Sequence, residues 1–176
     1  MIVIIAGPSG SGKTTIGTQL ATRLGWEFAD ADTFHTAPAI AKMRRGEPLT
    51  DADRRPWLKT IGYWMDARIG AGLSAVVTCS ALRREYRDEM LAGRPTVRLV
   101  YLLESRETLE AHLTGRHGHF FPPELLDSQL ADQEAPQGEP QVLVVTPEGS
   151  PEHTVAEVIA GLWPAGPPTE GTPGPA

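Results

Sequence analysis

Residues 7–14 read GPSGSGKT, which satisfies the spacing G-x-x-x-x-G-K-[ST]. That spacing serves one kind of chemistry, the holding of a polyphosphate. Gly7, Pro8, Ser9, Gly10, Ser11 and Gly12 would form a loop whose N–H groups converge on phosphate oxygens. The helix expected to start behind them adds partial positive charge at its N-terminus. Lys13 is placed to reach the terminal phosphates, which makes it a catalytic candidate. The Thr14 hydroxyl can hold Mg²⁺, and Thr15 belongs to the same nucleotide-binding stretch. The chain contains no asparagine, so the guanine-reading N-K-x-D element of GTPases cannot exist in it. ATP is therefore the expected nucleotide.

Residues 30–35, DADTFH, place two carboxylates one residue apart with a histidine behind them, directly after the apolar stretch 26–29. If the chain stays extended through residue 32, Asp30 and Asp32 point to the same side. One acid near Mg²⁺ and one near an attacking hydroxyl is a workable division for phosphoryl transfer. Asp30 is then the metal candidate, acting through water, and Asp32 the base or hydroxyl-orienting group. Alone, such a pair favours a solvated turn, where Asp is common; the phosphate loop upstream reverses the reading toward an enzyme. His117 and His119 have an x-spaced arrangement, but no further Cys or His cluster supports a metal site there. Cys79, the single cysteine, reads as a small buried residue rather than a nucleophile. Trp57 and Trp64, at helical spacing, read as core.

Positioning these groups requires alternating elements. Compact apolar runs at 2–6, 26–29, 75–79, 97–103 and 141–145 are expected strands buried on both faces. Helices are expected over 13–24, 54–71, 82–92, 106–113 and 152–162. Ser150 before Pro151 is a good start signal for the last, and Asp53 is the expected cap of the longest, with Pro56 in its tolerant first turn. The alternation implies an α/β fold, a parallel sheet with helices on both faces, and ligands at the C-terminal edge of the strands. Two stretches break the rhythm: the polar segment 33–52, and GRHGHFFPP at 115–123, rich in Arg, His and Gly and expected to move. The Pro/Gly-rich tail 164–176 has almost nothing to bury and is expected to be disordered, leaving a single domain over 1–163.

A net charge of −6 argues against a sequence-independent grip on nucleic acid. One cysteine allows no internal disulfide, and no apolar run approaches membrane-spanning length. A cytoplasmic protein is the expectation.

The stretch 30–58, DADTFHTAPAIAKMRRGEPLTDADRRPWL, resembles the gluconate kinases, small P-loop enzymes with a pattern like D-x-D-x-x-H followed by K-M-x-x-G-x-P-L-x-D-x-D-R-x-P-W-L. CSALRREYRD at 79–88 is similar to the family's C-S-A-L-K-x-x-Y-R-D, and HFFPPELLDSQLADQEAP at 119–136 to its lid and following helix. The resemblance covers about residues 1–162. It implies the shikimate-kinase type of P-loop kinase fold: a five-stranded parallel sheet of order 2-3-1-4-5, a substrate-binding segment over 33–52 and a mobile lid over 115–123. It implies ATP-dependent phosphorylation of D-gluconate to 6-phospho-D-gluconate, with Mg²⁺, in a homodimer.

Gluconate is an anionic polyol, and Arg54 is the first choice for its carboxylate because a guanidinium binds one bidentately. His35, Ser80, Arg83, His119 and Gln129 are further substrate candidates beside Asp32, and Arg116 is expected to close over the transferring phosphate. Thr36 and Ala39 stand where the family usually has proline and asparagine, and Arg83 where it has lysine. A kinase for another small hydroxy acid such as shikimate, and a nucleotide-binding regulator without transferase activity, remain as alternatives at this point.

Overall fold

A computed structural model describes residues 1–114 and 123–167. The elements run β1 (Ile2–Ala6), α1 (Lys13–Leu24), β2 (Glu27–Asp30), a 3₁₀ turn (Ala31–Phe34), α2 (Ala37–Arg44), α3 (Asp51–Gly70), β3 (Ala75–Cys79), α4 (Arg84–Leu91), β4 (Val97–Leu102), α5 (Arg106–Thr114), α6 (Pro123–Ala131), β5 (Val142–Val145) and α7 (Pro151–Leu162). The five strands form one sheet in the order β2-β3-β1-β4-β5, and every pairing is parallel. This is the P-loop kinase architecture, with the expected order.

The sheet is buried from both sides, which is why its strands read as unbroken apolar runs. Along β1, Ile2, Ile4 and Ala6 face one core with Trp57, Leu58, Ile61 and Met65 of α3 and Tyr86 and Met90 of α4. Val3 and Ile5 face the other with Ile16 and Leu20 of α1 and Val155 and Val158 of α7. All five β1 residues are fully buried. Burial contributes about 1.5–3 kcal/mol for each large aliphatic side chain, so this central strand anchors the loop that follows it.

Several boundaries differ from expectation. β2 begins at Glu27; Trp26 instead packs edge-on against Trp163, with ring centroids 5.8 Å apart. α3 begins three residues before the expected start, capped by Thr50 rather than Asp53. Asp53 is the third helical residue and closes a capping box, its carboxylate accepting from the Thr50 amide at 2.9 Å. Pro56 is consequently the sixth helical residue, past the first turn, where it removes the N–H that would reach the Ala52 carbonyl. α4 starts at Arg84 because Ala81 takes a positive φ of 40°, and β5 starts at Val142 because Gln141 does so at 65°. Within the polar segment lies a helix with no counterpart in the sequence reading. Thr36 caps α2 by accepting from the Ala39 amide at 3.4 Å, and Ala39 is buried. Two of the three positions that depart from the gluconate-kinase pattern, Thr36 and Ala39, thus build a helix start.

Candidate active site

The C-terminal ends of β1, β2 and β3 open into a cleft of about 320 Å³. The phosphate loop lines it through Ser9, Gly10, Gly12, Lys13 and Thr14, together with Asp30, Asp32, His35, Arg54, Trp57, Ser80 and Gln129.

The loop begins with Gly7, whose amide donates to the Ser80 carbonyl at 3.1 Å, tying the end of β1 to the end of β3. Gly7 has a φ of +138°, and a Cβ there would lie 2.7 Å from the Leu102 backbone oxygen. Gly10 has a φ of +89°, and a Cβ there would lie 2.9 Å from the Leu109 oxygen. At both points the chain passes a neighbouring backbone too closely for any side chain. Pro8 contributes through its backbone: its carbonyl accepts from the Ser11 amide at 3.2 Å and from Lys13 Nζ at 2.8 Å. Ser11 is buried, and its hydroxyl oxygen is unpartnered among the described residues. Thr15 is exposed.

The acids sit where β2 ends, though not as expected. The chain is extended only to Asp30; Ala31–Phe34 is a 3₁₀ turn. Asp30 caps that turn, its Oδ1 accepting from the Asp32 amide at 3.0 Å, while its Oδ2 accepts from the Thr14 hydroxyl at 3.2 Å. Both carboxylates still line the cleft, because the tight turn returns the chain to the same edge. The assumption of continued extension is therefore corrected. A hydroxyl is a hard donor of the kind Mg²⁺ takes directly, and the carboxylate beside it can accept from a water on the ion, with nucleotide phosphates and water supplying the other ligands.

His35 stacks on Trp57 with centroids 4.3 Å apart and planes 12° from parallel. Trp57 donates its indole N–H to the Ala31 carbonyl at 2.6 Å, so this core tryptophan also fixes the 3₁₀ turn. His35 Nδ1 is buried and unpartnered among the described residues. Burial lowers the His35 pKa below its usual 6.5, with Arg54 acting in the same direction and Asp32 opposing.

Arg54 lines the cleft, donating from Nη1 to Asp132 at 2.7 Å and to the Tyr86 hydroxyl at 3.4 Å. Ser80 and Gln129 are also in the wall, but the Gln129 side-chain oxygen accepts from the Ser9 amide at 2.7 Å, so this residue sits against the phosphate loop. Arg83 stands behind the wall, bridging Asp132 and Asp51. Arg116 and His119, with the expected lid, lie outside the described residues.

The sequence reading missed Asp51, Tyr86, Asp132 and His112. Asp51, Tyr86 and Asp132 lie inside the stretches of the resemblance, which was the available signal. His112 Nδ1 lies 2.9 Å from the Gly10 carbonyl, and no local pattern announced it.

A family model described as an AAA domain matches residues 2–139. The gluconokinase of Gluconobacter oxydans (strain 621H) is 43% identical over 157 residues, covering 89% of this chain and 88% of that protein. The crystal structure of a sugar kinase from Janibacter sp. HTCC2649 superposes with a TM-score of 0.87 at 44% identity, covering 93% of this chain and 95% of that one. A gluconokinase structure from Sinorhizobium meliloti 1021 superposes with a TM-score of 0.83 at 37% identity, covering 93% and 92%.

Proposed function

The chain belongs to the gluconokinase family of P-loop kinases, and from that premise we propose that it phosphorylates D-gluconate with ATP, giving 6-phospho-D-gluconate and ADP. The observation that carries the proposal is the content of one cleft. A phosphate loop, two carboxylates and an arginine meet there at the ends of the parallel strands.

In this reading the loop amides and Lys13 hold the terminal phosphates and spread the charge of the transition state. Mg²⁺, held by Thr14 and through water by Asp30, would neutralise charge on the phosphates when bound. Asp32 orients the 6-hydroxyl and takes its proton as the new O–P bond forms. The bond from the terminal phosphorus to the bridging oxygen breaks, and ADP departs. Because phosphoryl transfer depends mainly on positioning, orientation is the larger part of the Asp32 role. Arg54 takes the substrate carboxylate, and His35, neutral in its pocket on Trp57, meets a sugar hydroxyl. Ser80, Arg83, Gln129 and His119 remain substrate-side candidates, and Arg116 would close over the transferring phosphate. Family likeness supports a homodimer, and a single cysteine is compatible with a reducing cytoplasm. Among the described residues no helix is long and apolar enough to cross a membrane.

The test is turnover by the purified chain with ATP, Mg²⁺ and a panel of sugar acids and shikimate. Gluconate is expected to give the highest kcat/KM. Turnover of shikimate without gluconate would refute the assignment, and no turnover of any acceptor would favour a regulator.

A further inference from the structure

Asp132 follows the last residue of α6, and its two carboxylate oxygens serve two different arginines. Oδ2 accepts from Arg54 Nη1 at 2.7 Å, and Oδ1 accepts from Arg83 Nη2. Arg83 Nη1 reaches both oxygens of Asp51, at 3.1 and 3.2 Å, and Asp51 also accepts from the Tyr86 hydroxyl. Tyr86 closes the ring by accepting from Arg54 at 3.4 Å. Two arginines and two aspartates leave the ring without net charge. Arg54 and Tyr86 face the cleft, whereas Asp132 is not among the residues that line it. The side chains of Arg54 and Asp132 are only 14% and 18% exposed, so water screens their bond weakly.

Both Arg54 bonds leave from Nη1. A guanidinium is planar, with its donors in a fixed fork. Holding Nη1 from behind therefore sets the plane of the whole group and leaves the edge formed by Nε and Nη2 for a carboxylate. An arginine without such a support loses rotamer freedom each time substrate binds.

We propose that Asp132 is a positioning residue for the acid end of the substrate: it holds Arg54 in the orientation that grips the carboxylate. The inference rests on the reading of Arg54 as the carboxylate anchor. An opposite effect also has a physical basis, since Asp132 is an anion near an anionic ligand and its removal would make the cleft more positive. Asp132 already has two cationic partners, so its field at the cleft is largely cancelled, and the loss of orientation outweighs the gain in charge.

The test uses steady-state kinetics of the full chain. Asp132→Asn is expected to raise KM for gluconate about tenfold, the scale of one re-ordered side chain, with KM for ATP and kcat nearly unchanged. In an Arg54→Ala background the same substitution should have no further effect on KM for gluconate. Asp132→Glu keeps the charge but displaces the carboxylate by one methylene. It should raise KM for gluconate less than Asp132→Asn does, and it carries the test alone if Asp132→Asn does not fold. If Arg54→Ala itself leaves KM for gluconate unchanged, the anchor reading fails. If Arg54→Ala raises it but the Asp132 variants leave it unchanged or lower it, Asp132 is not a positioning residue. A parallel rise in KM for ATP would reduce its role to general structure and overturn the proposal.

Discussion

The Thr14 hydroxyl donates to Asp30 Oδ2 at 3.2 Å, joining the first turn of α1 to the last residue of β2. Sixteen residues separate them in the chain, yet they present two hard oxygens to one point beside the phosphate loop. Replacing Asp30 by alanine leaves Thr14 to hold the cation with nucleotide and water. The Mg²⁺ concentration for half-maximal velocity should then rise about tenfold or more, by analogy with the loss of outer ligands in other metal sites. An unchanged Mg²⁺ requirement would remove Asp30 from the metal site.

Asp32→Ala should lower kcat by about 10²–10⁴-fold, the range for loss of a general base. Nucleotide affinity should hold, because the loop is built from other residues. Equilibrium titration with a nucleotide analogue, alongside turnover, separates the two effects. A near-normal rate in this variant would take Asp32 out of the mechanism.

Gly7→Ala tests the loop itself. The added methyl would meet the Leu102 backbone oxygen at 2.7 Å and the Ser11 hydroxyl at 2.9 Å, on a residue whose φ is +138°. Strain of this kind costs about 1–3 kcal/mol, and the backbone oxygen has little room to yield. Nucleotide affinity measured by calorimetry should fall by about tenfold or more. Wild-type affinity would mean that the loop relaxes freely.

Arg87 is fully buried and is held by Glu139 through two bonds of 2.8 and 2.6 Å. It also donates to the carbonyls of Ala81 and Leu82, at 3.2 and 2.9 Å, on the strained turn after β3. Glu139→Ala would leave this guanidinium buried without its carboxylate, at a cost of about 3–5 kcal/mol. Denaturant unfolding should show that loss, and a change within experimental error would mean that water enters and replaces the carboxylate.

Asp53 supplies a pH dependence. The Lys42 ammonium at 2.7 Å, then the Thr50 amide and hydroxyl, hold its carboxyl down to about 2 from the usual 3.8. Between those values the unfolded chain binds more protons than the folded one, so stability rises with pH there. The contribution is complete above the unfolded value of 3.8 and is lost as pH falls toward about 2. Asp53→Asn should flatten the dependence of the unfolding midpoint on pH across that window, as followed by circular dichroism. An undiminished slope would assign the effect to other carboxylates.

By itself the sequence determined the parts of this protein that are local or periodic. The phosphate loop is eight consecutive residues that act through their own backbone and the side chains of Lys13 and Thr14, so it was legible as written. The strands were legible because burial on both faces leaves unbroken apolar runs, and alternation with helices dictated a parallel sheet. The strand order came from resemblance alone. Tertiary structure decided how the acids reach the cleft: Asp32 enters on a 3₁₀ turn that Asp30 caps and Trp57 braces, and nothing in DADTFH distinguishes that turn from an extended end. It also decided what supports the arginines. Arg54 meets Asp132 across 78 residues, Arg83 meets Asp132 across 49, and Gln129 meets Ser9 across 120. Such pairings leave no period in the chain, because a polar side chain takes its partner from whatever the packed helices bring near, and only the folded sheet sets that neighbourhood.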